Sequence, residues 1–201
     1  MMHRVIDYLD DLFPNPKCEL NYSKDYELLI AVMLSAQTTD KKVNEVTFIL
    51  FKKYDSLDKL ASADVNDIKK IIKPIGMVNK KSQNVIDIAK KLDSVVPNDR
   101  DFLEKLPGVG RKTANVVLSN LFNVPCIAVD THVSRVSIRL GIADIGDDVL
   151  SIEKKLNCFF PEDKLCRLHH QLVLFGRYYC KAQKPLCDNC KLKDMCNRKS
   201  S

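Results

Sequence analysis

No run of the 201-residue chain approaches the roughly 20 consecutive apolar residues of a membrane span, so no membrane-crossing helix is expected. No segment alternates apolar and polar residues between hairpin turns, which removes the pattern of a half-buried strand. There is no internal repeat at a fixed period and no low-complexity linker, which argues against a solenoid and against a disordered joint. Residues 1–16 carry Asp7, Asp10 and Asp11 and lack the long apolar run of a secretory signal, so the chain is expected to stay in a reducing cytoplasm. In that setting the eight cysteines read as metal ligands or buried thiols rather than disulfides.

What is present is enough apolar material, 45%, for one large domain or two small ones. The net charge of +6 is uneven: residues 164–201 hold nine Lys/Arg against two Asp, and the rest of the chain is close to neutral. A basic tail of this kind suits a polyanion. Apolar residues recur at helical spacing in Val5, Ile6, Leu9 and Leu12, and Pro14 stops that helix. Further amphipathic helices are predicted over Asp25 to Ser35, from Asp40 through Leu50, from Asp64 through Ile72, and over Asn84 to Leu92. Three more follow: one from Val133 that Gly141 closes, one over Val149 to Phe159 and one over Leu165 to Tyr179. The fold class is therefore all-α.

One stretch carries chemistry. Leu106-Pro107-Gly108-Val109-Gly110 reads as a tight turn, with Arg111 and Lys112 in the first turn of the next helix. Asp101 and Glu104 have capping-box spacing for a short helix before it, so the unit reads helix, hairpin, helix. A helix N-terminus offers outward N–H groups and the positive end of a dipole, and Gly108 and Gly110 lack the Cβ that would hold a phosphate away. At 100° per residue Ala114, Val117, Leu118 and Leu121 share one face while Lys112, Asn115 and Ser119 lie opposite. By itself Lys112 is equally an ordinary surface cation, and Asp130, in Val129-Asp130-Thr131-His132, an ordinary helix cap.

Near the C-terminus Cys180, Cys187, Cys190 and Cys196 form Cys-x6-Cys-x2-Cys-x5-Cys, separated mainly by Lys, Pro, Asp and Asn. A segment with so little apolar material needs something to fold around, and four thiolates around a metal would serve. Zinc is one alternative, although zinc ribbons pair two Cys-x2-Cys units and this ladder has one. Cys18, Cys126, Cys158 and Cys166 stand in apolar contexts and read as core thiols.

The run Leu-Pro-Gly-Val-Gly-Arg-Lys-Thr-Ala-Asn-Val-Val with the later Val-Asp-Thr-His resembles the endonuclease III family of DNA glycosylase/AP lyases, and the resemblance extends over nearly the whole length. It implies that Lys112 is the nucleophilic amine and Asp130 the carboxylate required beside it. Gly108, Gly110 and Arg111 are then DNA contacts. The ladder matches that family's ligand spacing for one [4Fe-4S] cluster per chain, with Lys181 and Lys184 on a phosphate-facing knuckle between the first two ligands. Leu34 to Asp40 resembles the family's Leu-Ser-Ala-Gln loop, whose glutamine, here Gln37, enters the space left by a rotated-out nucleotide. Ile75 to Lys80 is similar to its wedge loop, with Met77 where leucine is common and Val78 where an aromatic is often seen.

The implied architecture has two helical lobes. A central helical-barrel lobe, 20–124, contains the helix-hairpin-helix at 101–121. A second lobe, 1–19 plus 125–201, carries the cluster loop at 180–196, with DNA between the two. The implied activity is removal of oxidised or ring-saturated pyrimidines from duplex DNA, followed by β-elimination at the abasic site through a lysine Schiff base. The expected protein is a cytoplasmic, nucleoid-associated monomer whose partner is damaged double-stranded DNA, with no membrane partner. The related mismatch adenine glycosylases lack the lysine, and the 8-oxoguanine glycosylases lack the cysteine ladder. A non-catalytic DNA-binding protein would need neither Lys112 nor Asp130.

Overall fold

The computed structural model describes residues 1–197, and among these every regular element is helical. In chain order they are α1 (Met2–Leu12), α2 (Asp25–Leu34), α3 (Asp40–Lys53), α4 (Leu57–Ala61), α5 (Val65–Ile72), α6 (Val78–Lys91), α7 (Arg100–Glu104), α8 (Arg111–Phe122), α9 (Thr131–Arg139), α10 (Val149–Phe159) and α11 (Leu165–Tyr178). Short 3-10 turns occupy Lys73–Ile75, Glu162–Lys164 and Lys193–Met195. Among the described residues no helix is long and apolar enough to cross a membrane. The chain divides into two units, one of residues 18–122 and one of residues 1–17 with 123 onward.

The first unit is built around α2. Its sequence pattern suggested an amphipathic helix, but every residue from Tyr26 to Leu34 is buried. The reason is its position: α3, α6 and α8 pack around it, leaving no solvent for a polar face to meet. Glu27, the one acidic residue in that run, accepts backbone N–H bonds from Ser23 at 2.7 Å and Lys24 at 3.2 Å, which satisfies it at the helix start. Helix α3 is capped by Thr39, whose hydroxyl accepts from Lys42 N, and Asp40 stands one position inside. Phe48 and Ile49, apolar residues of that helix, are instead 71% and 53% exposed. Helix α6 begins at Val78, well ahead of the Asn84 start expected from apolar spacing, because its first turn is polar and gives no periodic signal.

In the second unit the apolar stripe of α1, Val5, Ile6 and Leu9, packs with Val133 and Val136 of α9 and Leu168, Leu172 and Phe175 of α11. Each such side chain contributes about 1.5–3 kcal/mol by leaving water. Gly176 lets α9 and α11 meet closely, since a Cβ there would fall 2.7 Å from His132 Cβ. Gly141, at φ +70°, closes α9 as its sequence position suggested. The N-terminus of α9, with Asp130, is thus held on a packed helix pair.

Candidate active site and cysteine loop

The hairpin begins differently from the expected capping box. Asp99, not Asp101, caps α7, its carboxylate accepting from Phe102 N at 3.0 Å. The chain then reverses through Leu106 N to Leu103 O at 3.0 Å and Val109 N to Leu106 O at 3.1 Å. Gly108 sits in this turn at φ +77°, where a Cβ would lie 2.3 Å from Asn84 Nδ2 and 3.2 Å from Met33 Cγ. Its missing side chain therefore serves the packing of the hairpin on α2 and α6. Gly110 has open space at the same position, with nothing within 4 Å of a built Cβ. At Gly110 the absent Cβ leaves open space on the side a phosphate would approach, whereas at Gly108 that space is filled by Asn84 and Met33.

Arg111 and Lys112 are exposed in the first turn of α8. Asn115 and Ser119, placed by the helical wheel on the same polar face, are buried instead, at 1% and 3% exposure. Asn115 is drawn in by the Arg100 guanidinium, which donates to its Oδ1 and ties α7 to α8. Lys112 thus stands at the exposed end of a helix whose polar flank is otherwise packed.

Asp130 caps α9, and both N–H bonds, from His132 and Val133 at 2.8 Å each, fall on Oδ1. Capping uses one carboxylate oxygen and leaves the other. Behind it Arg135, whose pKa is lowered by burial and then by Arg139, donates to Gly176 O at 2.7 Å and Cys180 O at 3.0 Å, and lies 3.2 Å from His132 Nδ1. Arg139 donates to Cys180 Sγ at 3.2 Å, Lys181 O at 2.8 Å and Ala182 O at 3.3 Å. Sequence reasoning missed both arginines. The signal was their spacing, which places two cations on one side of the helix that Asp130 caps.

Gln37 and Met77 are exposed and share a rare feature, a left-handed backbone, at φ 60° and 50°. Between their loops lies Lys81, only 3% exposed, whose Nζ donates to Ala36 O at 2.8 Å and to Ile75 O at 3.2 Å. Burial pushes the Lys81 ammonium below the usual lysine range. Val78, read as part of the wedge loop, is instead the first residue of α6, so the loop proper narrows to Gly76 and Met77. Lys112 lies in the 18–122 unit with Gln37 and Met77, whereas Asp130 and the four ladder cysteines lie in the other.

Cys180, Cys187, Cys190 and Cys196 line one cavity of about 320 Å³, together with Arg139, Tyr179 and Leu192 among others. Burial raises the Cys190 thiol above its ordinary range against a backbone hydrogen bond from Leu192 that lowers it, and the other three cysteines add to the rise. A single zinc ion would draw its sulfurs to about 2.3 Å from one point. Among the described residues no three His, Cys, Asp or Glu side chains converge in that way. Four thiols lining one cavity, with the Arg139 guanidinium on Cys180 Sγ, are a donor set that suits a thiolate-bound, anionic metal centre. The loop is also fastened by protein: Arg4 donates to both carboxylate oxygens of Asp194 at 2.8 Å and to Lys191 O, while Leu192 is buried in the core. Lys181 and Lys184 are exposed on it, and Lys184 has φ 47°.

The family model of the HhH-GPD superfamily base excision DNA repair proteins matches residues 30–162. The chain belongs to that superfamily. The HhH-GPD match takes in Gln37, Met77, the hairpin and Asp130 but ends before the cysteine ladder. Endonuclease III of Bacillus subtilis is 48% identical across 95% of this chain and 89% of its own. A solved structure of a non-covalent Endonuclease III–DNA complex superposes with a TM-score of 0.93 at 44% identity, covering 98% of this chain and 95% of that one. A trapped Endonuclease III–DNA covalent intermediate, an estranged-adenine complex, gives 0.92 at 45% identity, covering 98% and 96%. The all-helical architecture is the one these HhH-GPD relatives share.

Proposed function

We propose that this chain is a bifunctional DNA glycosylase/AP lyase of base excision repair, with damaged double-stranded DNA as its substrate and oxidised or ring-saturated pyrimidines as the bases it removes. The observation that carries the reading is its close match, over nearly its full length, to an Endonuclease III caught in a covalent DNA intermediate. The chain supplies an exposed amine, Lys112, in the first turn of the hairpin helix.

In this mechanism the damaged nucleotide leaves the stack, because its C1′ is out of reach inside a duplex. The Lys112 Nζ lone pair attacks C1′ as the glycosidic bond breaks and the base departs with the bonding electrons, taking up a proton. Asp130 stabilises the positive charge developing on the sugar with the carboxylate oxygen that the cap does not use, and then assists proton transfer. The C1′–O4′ bond then breaks, O4′ taking up a proton that the amine has given up through Asp130, and the opened sugar is left joined to Lys112 as an imine. Loss of a C2′ proton then breaks the C3′–O bond, releases the 3′ phosphate and leaves the imine for hydrolysis. Gly110 and Arg111 hold the backbone phosphate at the N-terminus of α8. Gln37 fills the vacated space and Met77 wedges the opened step.

Cys180, Cys187, Cys190 and Cys196 would hold one [4Fe-4S] cluster, which fixes the loop and leaves no open coordination site for chemistry. Lys181 and Lys184 on that loop face phosphates. The protein works as a monomer on nucleoid DNA in the cytoplasm.

Borohydride trapping on an abasic-site duplex tests the reading. Wild-type protein should become covalently joined to the strand, and Lys112→Gln should lose both that adduct and strand cleavage while keeping duplex binding. An adduct formed by Lys112→Gln at the wild-type rate would assign the nucleophile to another amine.

A further inference from the structure

We infer that Lys81 is a positioning residue that couples the two DNA-entering loops, holding Gln37 and Met77 together in the backbone conformations they need. The inference rests on the activity proposed above for its functional meaning, and on three observations for its physical content.

First, Lys81 is almost fully buried, and among the described residues its ammonium bonds only to two backbone carbonyls, Ala36 O at 2.8 Å and Ile75 O at 3.2 Å. No carboxylate offsets the charge, so the contact is a costly way to join two loops unless their relative geometry matters. Second, the choice of carbonyls is specific. The Ala36 carbonyl belongs to the peptide plane that turns about φ of Gln37, and the Ile75 carbonyl to the plane that turns about φ of Gly76. Holding those oxygens fixes the rotations that set Gln37 at φ 60° and Gly76 at φ 68°, with Met77 following at φ 50°. Third, a left-handed non-glycine residue is strained and persists only where its surroundings over-determine it. The described chain has four such residues, and two of them, Gln37 and Met77, are in the two loops that Lys81 joins.

A filler and a wedge act on the same opened base step, so their relative placement decides whether both enter at once. One buried cation bonded to both loops makes that placement a property of the free protein. The ordering is then complete before DNA arrives, and less of the binding energy goes into arranging the loops.

The test uses the full chain and Lys81→Met, which keeps the length of the side chain and removes its donors. Hydrogen exchange on the free protein should show faster exchange at residues 36–38 and 76–78 with the α2 amides unchanged. This readout is independent of any activity. Single-turnover base release from a lesion duplex should fall about tenfold, that is about 1.4 kcal/mol. The borohydride adduct on an abasic site in an unpaired strand, where no stack is opened, should stay within about twofold. Gln37→Ala and Met77→Ala should each lose most of their effect when made in the Lys81→Met background. Lys81→Arg, which keeps charge and donors, should retain the wild-type behaviour. If Lys81→Met does not fold, Lys81→Gln, which is shorter and uncharged, replaces it.

Unchanged exchange at both loops overturns the inference, as does undiminished base release. An equal loss on paired and unpaired substrates also overturns it, since Lys81 would then only hold the fold. Absence of an adduct with the wild-type protein would instead count against the activity, and the exchange experiment would still decide the loop coupling.

Discussion

Gly108 and Gly110 stand two residues apart and predict opposite outcomes. Gly108→Ala places a Cβ against Asn84 Nδ2 in a left-handed turn, so it should cost about 2–4 kcal/mol of stability, measured by urea unfolding. Gly110→Ala meets nothing within the protein and should cost about 1 kcal/mol at most, yet weaken duplex binding by holding a phosphate away from the helix end. Asp130 separates into two roles in the same way. Asp130→Asn keeps an oxygen to accept from His132 and Val133, so stability should hold while base release slows. Asp130→Ala should slow base release and also lose about 1 kcal/mol of stability. If Asp130→Asn released base at the wild-type rate, Asp130 would be a cap and nothing more.

At the scale of elements, the helical class and most helices were legible because apolar spacing repeats strongly: Val149 to Phe159 is α10 as read, and Asp64 caps α5 by accepting from Asn66 N. The beginning of α6 was not legible, since Asn79 and Lys80 carry no apolar period and Met77 starts the helix in a left-handed conformation. Lys81 could not be read at all, because its acceptor Ala36 O lies 45 residues away and nothing local marks a buried lysine. The cysteine loop was legible by spacing, whereas its fastening by Arg139, Arg4 and Leu192 needed the fold. The purified protein should carry about four iron and four sulfide per chain. Cys190→Ser should abolish them and increase hydrogen exchange first at 180–196; one zinc without sulfide would remove the cluster assignment. A pH effect belongs to the junction of α3 and α5, where burial, and then the Asp67 carboxylate 2.6 Å away, raise the Tyr54 phenol to about 12. Between the ordinary tyrosine value near 10 and that value, the folded state holds a proton that the unfolded state has lost, so stability should fall as pH rises across this window. Tyr54→Phe should flatten that part of the unfolding profile.

Taken whole, the molecule concentrates its positive charge from residue 164 onward, where nine Lys/Arg face two Asp, and part of it sits on the cysteine loop. Duplex affinity should therefore fall steeply with salt, and replacing Lys181 and Lys184 by Gln should reduce the log–log slope by about 0.9 for each phosphate that is no longer neutralised. An unchanged slope would return both lysines to ordinary solvent. The path of the chain has a further consequence. Helix α1 belongs to the same unit as the cysteine loop, and Arg4 closes on Asp194, 190 residues later. At a synthesis rate of about 5–20 residues per second, the apolar stripe Val5, Ile6 and Leu9 waits on the order of 10 s before its partners in α9 and α11 leave the ribosome. During that interval residues 18–122 have all their own helices in hand and can close around α2, while the leading helix remains sticky. Synthesis order thus separates the two units in time, the stripe of α1 waiting on helices made only after the 18–122 unit is out.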